Sequence, residues 1–209
     1  MNSTLAAVIC IAAGYLCGAL PWGLWLGRMF RGVDVRTLGS GNLGATNVFR
    51  SLGRGLGIAT LLLDVAKGAA PVWILPRLTV GRAFPGGPEA CALAVGLAAV
   101  AGHVWTCFAG FKGGKGVATT VGVLLAVAPR AFVVFVVVFA LAVVLTRYIS
   151  VGSILGAIAF AIVLALPGAG LLMRAFGIVI ALLVILRHRE NIGRLVRGTE
   201  RRFEWKRST

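Results

Sequence analysis

The stretch "VATTVGVLLAVAPRAFVVFVVVFALAVVLT" (residues 117–146) decides how this chain is threaded. It is 30 residues long and almost wholly apolar, with Pro129–Arg130 near its middle. A helix needs about 20 apolar residues to cross a bilayer. The stretch is therefore too long for one comfortable crossing and short for two. Five other apolar runs surround it: Leu5–Gly27, Ile58–Leu75, Ala90–Phe111, Val151–Leu166 and Leu171–Leu186. "PGAG" (167–170) separates the last two, and Ile58–Leu75 carries Asp64 and Lys67. Two helices within 117–146 give seven crossings, with the termini on opposite sides.

Charge chooses between the readings. With seven helices and the N-terminus outside, only Arg77, Arg82, Arg130 and Arg174 of the 21 Lys and Arg fall on the outer side. Lys67 lies within a helix, and every other cation falls inside. With a single helix at 117–146, the basic C-terminal tail and the loop with Lys112 face opposite sides, against the positive-inside rule. The expected fold is an all-α integral membrane protein of seven transmembrane helices. Its N-terminus is outside, its C-terminus is cytoplasmic, and residues 1–209 form a single polytopic domain.

Composition agrees. The chain is 59% hydrophobic and only 13% charged, against roughly 25% charged in soluble domains. Mean hydropathy is +0.96. The net charge of +15 is accompanied by no DNA- or RNA-reading motif, so the cations read as topology markers and headgroup contacts, with no nucleic-acid partner. Cys10, Cys17, Cys91 and Cys107 form no C-x-x-C pair, which excludes a zinc ribbon and leaves them as small apolar residues. Leu5–Gly27 exceeds the length of a signal h-region and no Lys or Arg precedes it, so it reads as a span.

The polar residues that remain gather on one side, in segments 28–57, 110–116, 147–153 and 187–209. The first holds "LGSGNLGATNVFR" (38–50). Gly39, Gly41 and Gly44 fit G-x-G-x-x-G, and Asp64 follows twenty positions later, as in a dinucleotide-binding fold. The context is wrong for that fold, because "RGVDVRT" is too charged for a central strand and Asp64 sits in an apolar helix. The glycines instead let backbone amides approach an anion. Ser40, Asn42, Thr46 and Asn47 add neutral donors, and Arg50 adds a guanidinium fork suited to phosphate. "ATNVFR" reads as a helix start, where orphan amides attract anions.

The second segment is "GHVWTCFAGFKGGKGVATT" (102–120). Lys112 and Lys115 flank Gly113–Gly114. The likeness to a P-loop is superficial, since Gly116 stands where Ser or Thr is required. A cationic glycine turn at a helix N-terminus still suits phosphate. His103 lies at its membrane end, fitted equally to a structural hydrogen bond and to carrying a proton. The third segment is "RHRENIGRLVRGTE" (187–200), where His188 and Asn191 share a helix face and Arg194 continues the stripe. Asp64 and Lys67 are spaced i,i+3 in an apolar helix, where charges pair. Ser150 and Ser153 sit on the same side as the glycine loops, as helix caps or ligand contacts. The tail after Leu186 is a short surface helix or an unstructured end.

No Ser-His-Asp order, H-x-x-x-x-D box or metal-ligand cluster is present, and only six acids exist. The pattern favours holding phosphates and an oxyanion over general-base catalysis by a carboxylate. A transporter for an anionic metabolite would also use cationic loops and glycine breaks, but with repeats and midplane polar groups, and no repeat is evident here. A membrane scaffold with basic anchors leaves the Asn, Ser and Gly clustering unexplained.

The three long motifs, together with "LDVAKG" (63–68), closely resemble those of the PlsY family, the bacterial acyl-phosphate-dependent glycerol-3-phosphate acyltransferases. The resemblance spans almost the whole chain. It implies transfer of a fatty acyl group from acyl phosphate to the 1-hydroxyl of glycerol 3-phosphate. Lysophosphatidic acid and phosphate are released at the cytoplasmic face of the bacterial inner membrane, as the first acylation of phospholipid synthesis. It implies no metal and no cofactor. A soluble enzyme that makes acyl phosphate would be a functional partner. Carried over by motif, Ser40, Lys115, His188 and Asn191 are catalytic. Gly39, Gly41, Asn42, Gly44, Thr46, Asn47, Arg50, Lys112, Gly113, Gly114, Ser150 and Ser153 hold substrate phosphates, while Asp64, Lys67 and His103 support them. The family's mechanism is substrate-assisted, a substrate phosphate oxygen taking the hydroxyl proton. One departure is visible: Trp105–Thr106 stands where the family commonly has Phe-Pro.

Overall fold

A computed structural model describes residues 2–203. All regular structure among them is helical, in two compact units that divide between Val127 and Ala128. The first unit holds α1 (Ser3–Ala19), α2 (Trp22–Arg31), α3 (Ala45–Leu52), α4 (Arg54–Ile74), α5 (Thr79–Arg82), α6 (Gly87–Val104) and α7 (Val117–Val127). The second holds α8 (Pro129–Thr146), α9 (Ile149–Ala165), α10 (Leu171–Arg187) and α11 (Arg189–Val196).

The first of these helices, α1, buries small residues and exposes large ones, the reverse of a soluble core. On α1, Ala6, Cys10, Gly14 and Gly18 recur every fourth position and are buried. Leu5, Val8, Ile11 and Leu16 are exposed. The small row lets α1 lie against α6, where a Cβ added at Gly18 would strike the backbone of Ala99. Close approach of this kind is what holds helices together in lipid, where no hydrophobic force acts between them. Gly68 on α4 and Gly122 on α7 do the same for that pair. On α8 the exposed residues are Val133, Val137, Leu141, Val144 and Leu145.

Segments Ser3–Arg31, Arg54–Arg77, Gly87–Ala109 and Pro129–Thr146 are long and apolar enough to cross a membrane. The pair α10–α11, bent by 54°, is a fifth, while Val117–Val127 and Ile149–Ala165 are shorter apolar helices. The 117–146 stretch is indeed two helices, divided at Ala128 before Pro129.

Two expected elements differ. Leu5–Gly27 is not one helix: α1 ends at Ala19 and α2 starts at Trp22. Pro21 has no N–H to donate and pushes Leu20 out of the helical region, to φ −57°, ψ 112°. Nor do His188 and Asn191 sit on one continuous helix, because His188 is the junction that closes α10 and opens α11. Of the tail, α11 is helical and Arg189 is exposed, while Lys206 and Arg207 lie outside the described residues.

Candidate active site

In the first unit, the loop between α2 and α3 is built around Asn47. Its side chain is buried, and its Oδ1 accepts the Ser40 N–H at 2.9 Å. Its Nδ2 faces the carbonyls of Val35, Leu38 and Asn42 at 3.2, 3.1 and 2.9 Å. Asn47 therefore shapes the loop, its buried amide being taken up by four backbone groups. Asn42 also works locally, its Oδ1 accepting the Gly44 N–H at 2.8 Å. Gly39 has φ +59°, and a Cβ there would strike Asn47 Oδ1. Ser40, held at the loop's apex by Asn47, is exposed, and Thr46 and Arg50 are half-buried on α3.

Asp34 closes the base of this loop. It accepts from Arg36 at 2.6 Å and Arg28 at 2.9 Å. The Arg36 hydrogen bond, outweighing burial, holds the Asp34 carboxyl far below its usual range. Arg36 Nη1 also reaches the Ala109 carbonyl at 3.4 Å. Leu24, Val35, Leu43, Val48 and Ala109 form one buried cluster, so the 38–47 loop and the 105–116 turn are packed side by side.

That second turn folds back onto the end of α6. The Gly113 and Gly114 amides donate to the carbonyls of Val104 and His103 at 3.1 and 3.0 Å. Lys112 is exposed, Lys115 is half-buried, and α7 begins two residues after Lys115. Thr106, the departure from the family pattern, gains a use: its Oγ1 donates to the Ala19 carbonyl and accepts the Phe108 N–H at 3.2 Å. Among the ion pairs, Asp64 and Lys67 meet at 2.7 Å, and both are buried with His103.

In the second unit, one acid collects the donors. Glu200 Oε1 accepts from Ser150 Oγ at 2.8 Å and Asn191 Nδ2 at 2.6 Å, and Oε2 accepts from Arg194 Nε at 2.7 Å. Burial raises the Glu200 pKa, but bonds from Asn191, Arg194 and Ser150 outweigh it and the carboxyl lies below its usual range. Glu200 was not among the expected site residues; its only signal is an acid standing in a basic tail. Ser153 bonds back to the Ile149 carbonyl at 2.9 Å, and Tyr148 is the N-cap of α9, so neither serine caps that helix. His188 Nδ1 lies 2.8 Å from the Val184 carbonyl. A carbonyl only accepts, so Nδ1 carries the proton and Nε2 is the acceptor in the neutral ring. Among the described residues no group of three His, Cys, Asp or Glu is arranged for a metal ion.

Apolar helices with large side chains turned outward, two glycine turns in one unit and a cluster of polar side chains in the other define an integral membrane protein. The chain matches the family model "Glycerol-3-phosphate acyltransferase" over residues 8–198. It is 50% identical to the glycerol-3-phosphate acyltransferase of Geobacter sulfurreducens, over 96% of this chain and 99% of that one. It is 47% identical to that of Anaeromyxobacter dehalogenans, over 97% of this chain and 100% of that one. It also matches the crystal structure of PlsY (YgiH), an integral membrane glycerol 3-phosphate acyltransferase, in its glycerol 3-phosphate form. The TM-score is 0.86 at 38% identity, covering 95% of this chain and 96% of that one. The lysophosphatidic acid form of that protein matches with a TM-score of 0.83. The chain belongs to the PlsY family of glycerol-3-phosphate acyltransferases. The transporter and scaffold readings fall with that membership.

Proposed function

We propose that this chain acylates the 1-hydroxyl of glycerol 3-phosphate with acyl phosphate as donor. The hydroxyl oxygen attacks the acyl carbonyl carbon, the bond from that carbon to the phosphate oxygen breaks, and inorganic phosphate leaves. The hydroxyl proton passes to a substrate phosphate oxygen. The products are lysophosphatidic acid and phosphate. Acyl phosphate is already activated, so positioning and charge neutralisation carry most of the rate. No resident metal or cofactor is needed for this chemistry.

The observation that carries the reading is the packing of two glycine turns around one small core in the first unit. Ser40, Arg50, Lys112 and Lys115 are the side chains of these turns suited to phosphate oxygens, with Thr46 adding a hydroxyl and Gly39, Gly41, Gly44, Gly113 and Gly114 leaving room for close approach to the backbone. In the second unit, His188 and Asn191 are the reacting-group contacts, with Ser150 on the glycerol side. Full-length likeness to a PlsY solved with glycerol 3-phosphate and with lysophosphatidic acid supports the acceptor and the product. We read residues 1–209 as one domain of seven crossings, α2 continuing the first and α7 forming a short one. The N-terminus is outside, and the polar loops face the cytoplasm of a bacterial inner membrane. A soluble enzyme making acyl phosphate supplies the donor.

The test is donor competition with purified protein and glycerol 3-phosphate. Lysophosphatidate should form from palmitoyl phosphate and not from palmitoyl-CoA; formation from the thioester alone refutes the donor. Within the same assay, His188→Ala and Asn191→Ala should lose at least 100-fold more activity than Arg189→Ala, and equal losses refute their place in the site.

A further inference from the structure

A charged cluster lies under the first unit's glycine turns. Asp64 and Lys67 pair at 2.7 Å with their side chains 2% and 4% exposed. A buried ion pair is often no more stabilising than an apolar pair of the same size. Its surroundings give it another use. Lys67 Nζ also donates to the Leu20 carbonyl at 2.7 Å, the group released where Pro21 breaks the first helix. His103 Nδ1 lies 3.7 Å from Asp64 Oδ1, and the opposite edge of the ring, at Nε2, lies under Gly114. A Cβ at Gly114 would strike that nitrogen. Leu43 of the 38–47 loop, Trp22 and Gly114 line the same small cavity of about 10 Å³, room for about one water. The cluster thus touches the α1–α2 break, the first glycine loop and the underside of the second.

We propose that Asp64, Lys67 and His103 are positioning residues for the acyl transfer: the ion pair on α4 sets the imidazole, and the imidazole sets the height and tilt of the Gly113–Gly114 turn. This rests on the reading of the Lys112–Lys115 turn as a phosphate site. The effect reaches substrate only through the turn, so it shows as a change in KM for a phosphate-bearing substrate more than in folding.

The test uses full-length protein in detergent, with KM for both substrates and a thermal unfolding midpoint. Asp64→Asn alone strands a buried cation and should lower the midpoint. The double variant Asp64→Asn with Lys67→Gln removes both charges but keeps a donor for the Leu20 carbonyl, and should restore the midpoint toward wild type, while KM for at least one substrate stays raised tenfold or more. His103→Gln keeps an amide nitrogen where Nε2 stood and should stay within threefold of wild-type KM; His103→Leu should raise it tenfold or more. Wild-type KM in both the double variant and His103→Leu overturns the inference. Should the double variant fail to fold, the Gln and Leu variants of His103 decide alone. Lys115→Ala separates the two claims. If it leaves both KM and kcat unchanged, the phosphate reading of the turn fails. If it is impaired while His103→Leu is not, only the positioning inference fails.

Discussion

Replacing Glu200 with Gln should break the second unit's polar cluster at a known point. The amide oxygen can keep the bonds from Ser150 and Asn191, which share Oε1. The amide nitrogen then faces Arg194 Nε, where Oε2 had accepted at 2.7 Å. One charge-assisted bond, worth about 1.5–3 kcal/mol, is lost and two others become neutral. Arg194 is one-third exposed, and water recovers part of the cost. The expected net loss is about 2–3 kcal/mol. Because the bond to Asn191 weakens with it, activity should fall at least tenfold. The assay is thermal unfolding in detergent together with lysophosphatidate formation, run on Glu200→Gln, Arg194→Met and the double variant. The double-variant cycle should give a coupling of about 1–2 kcal/mol. The pH dependence has a fixed sign. Glu200 is held below its usual carboxylate range, so its stabilisation is full at neutral pH, fades as pH falls below the usual carboxylate range and is gone once pH has passed the lowered value. Wild type should lose this increment on acidification, and Glu200→Gln should lack it. A stability within 0.5 kcal/mol of wild type and zero coupling would refute the assignment of Glu200 as the cluster's organiser.

Other outcomes follow from the first unit. Asn47→Ala removes the acceptor of the Ser40 amide and the donor facing three carbonyls, and should cost about 2–4 kcal/mol of loop stability. Asn47→Asp should be worse still, since it turns an oxygen toward those carbonyls; unfolding midpoints of the two variants check the order. Gly114→Ala forces a Cβ against His103 Nε2 and should abolish most activity while Gly55→Ala, with open space around it and an ordinary helical backbone, is far milder. Equal activity of the two glycine variants contradicts the close packing of the turn.

The division of 117–146 was legible because Pro129 falls where neither half needs its missing N–H, and the positive-inside rule asked for two helices there. The same residue type at Pro21 gave no warning. "GALPWG" lies in an apolar run of the right length for one span, and a proline can be carried within a membrane helix. What makes it a break is that the freed carbonyls of Ala19 and Leu20 find Thr106 and Lys67, 87 and 47 residues away. Polar residue types marked which segments carry the loops and the polar cluster, but not the directions of their side chains. Asn47 and Ser40 both read as donors to an anion; burial turns one inward and leaves the other at the apex. Glu200 was hidden for the opposite reason. In a chain with six acids, the absence of a carboxylate base was the visible feature, and the partners of Glu200 stand six, nine and 50 positions away.

The central claim is acyl transfer from acyl phosphate to glycerol 3-phosphate. Its most direct measurement is phosphate release from palmitoyl phosphate by the purified protein, followed with and without glycerol 3-phosphate. Release should require glycerol 3-phosphate and match lysophosphatidate formation mole for mole. Phosphate release that proceeds equally without the acceptor, or lysophosphatidate formed without phosphate release, would contradict it.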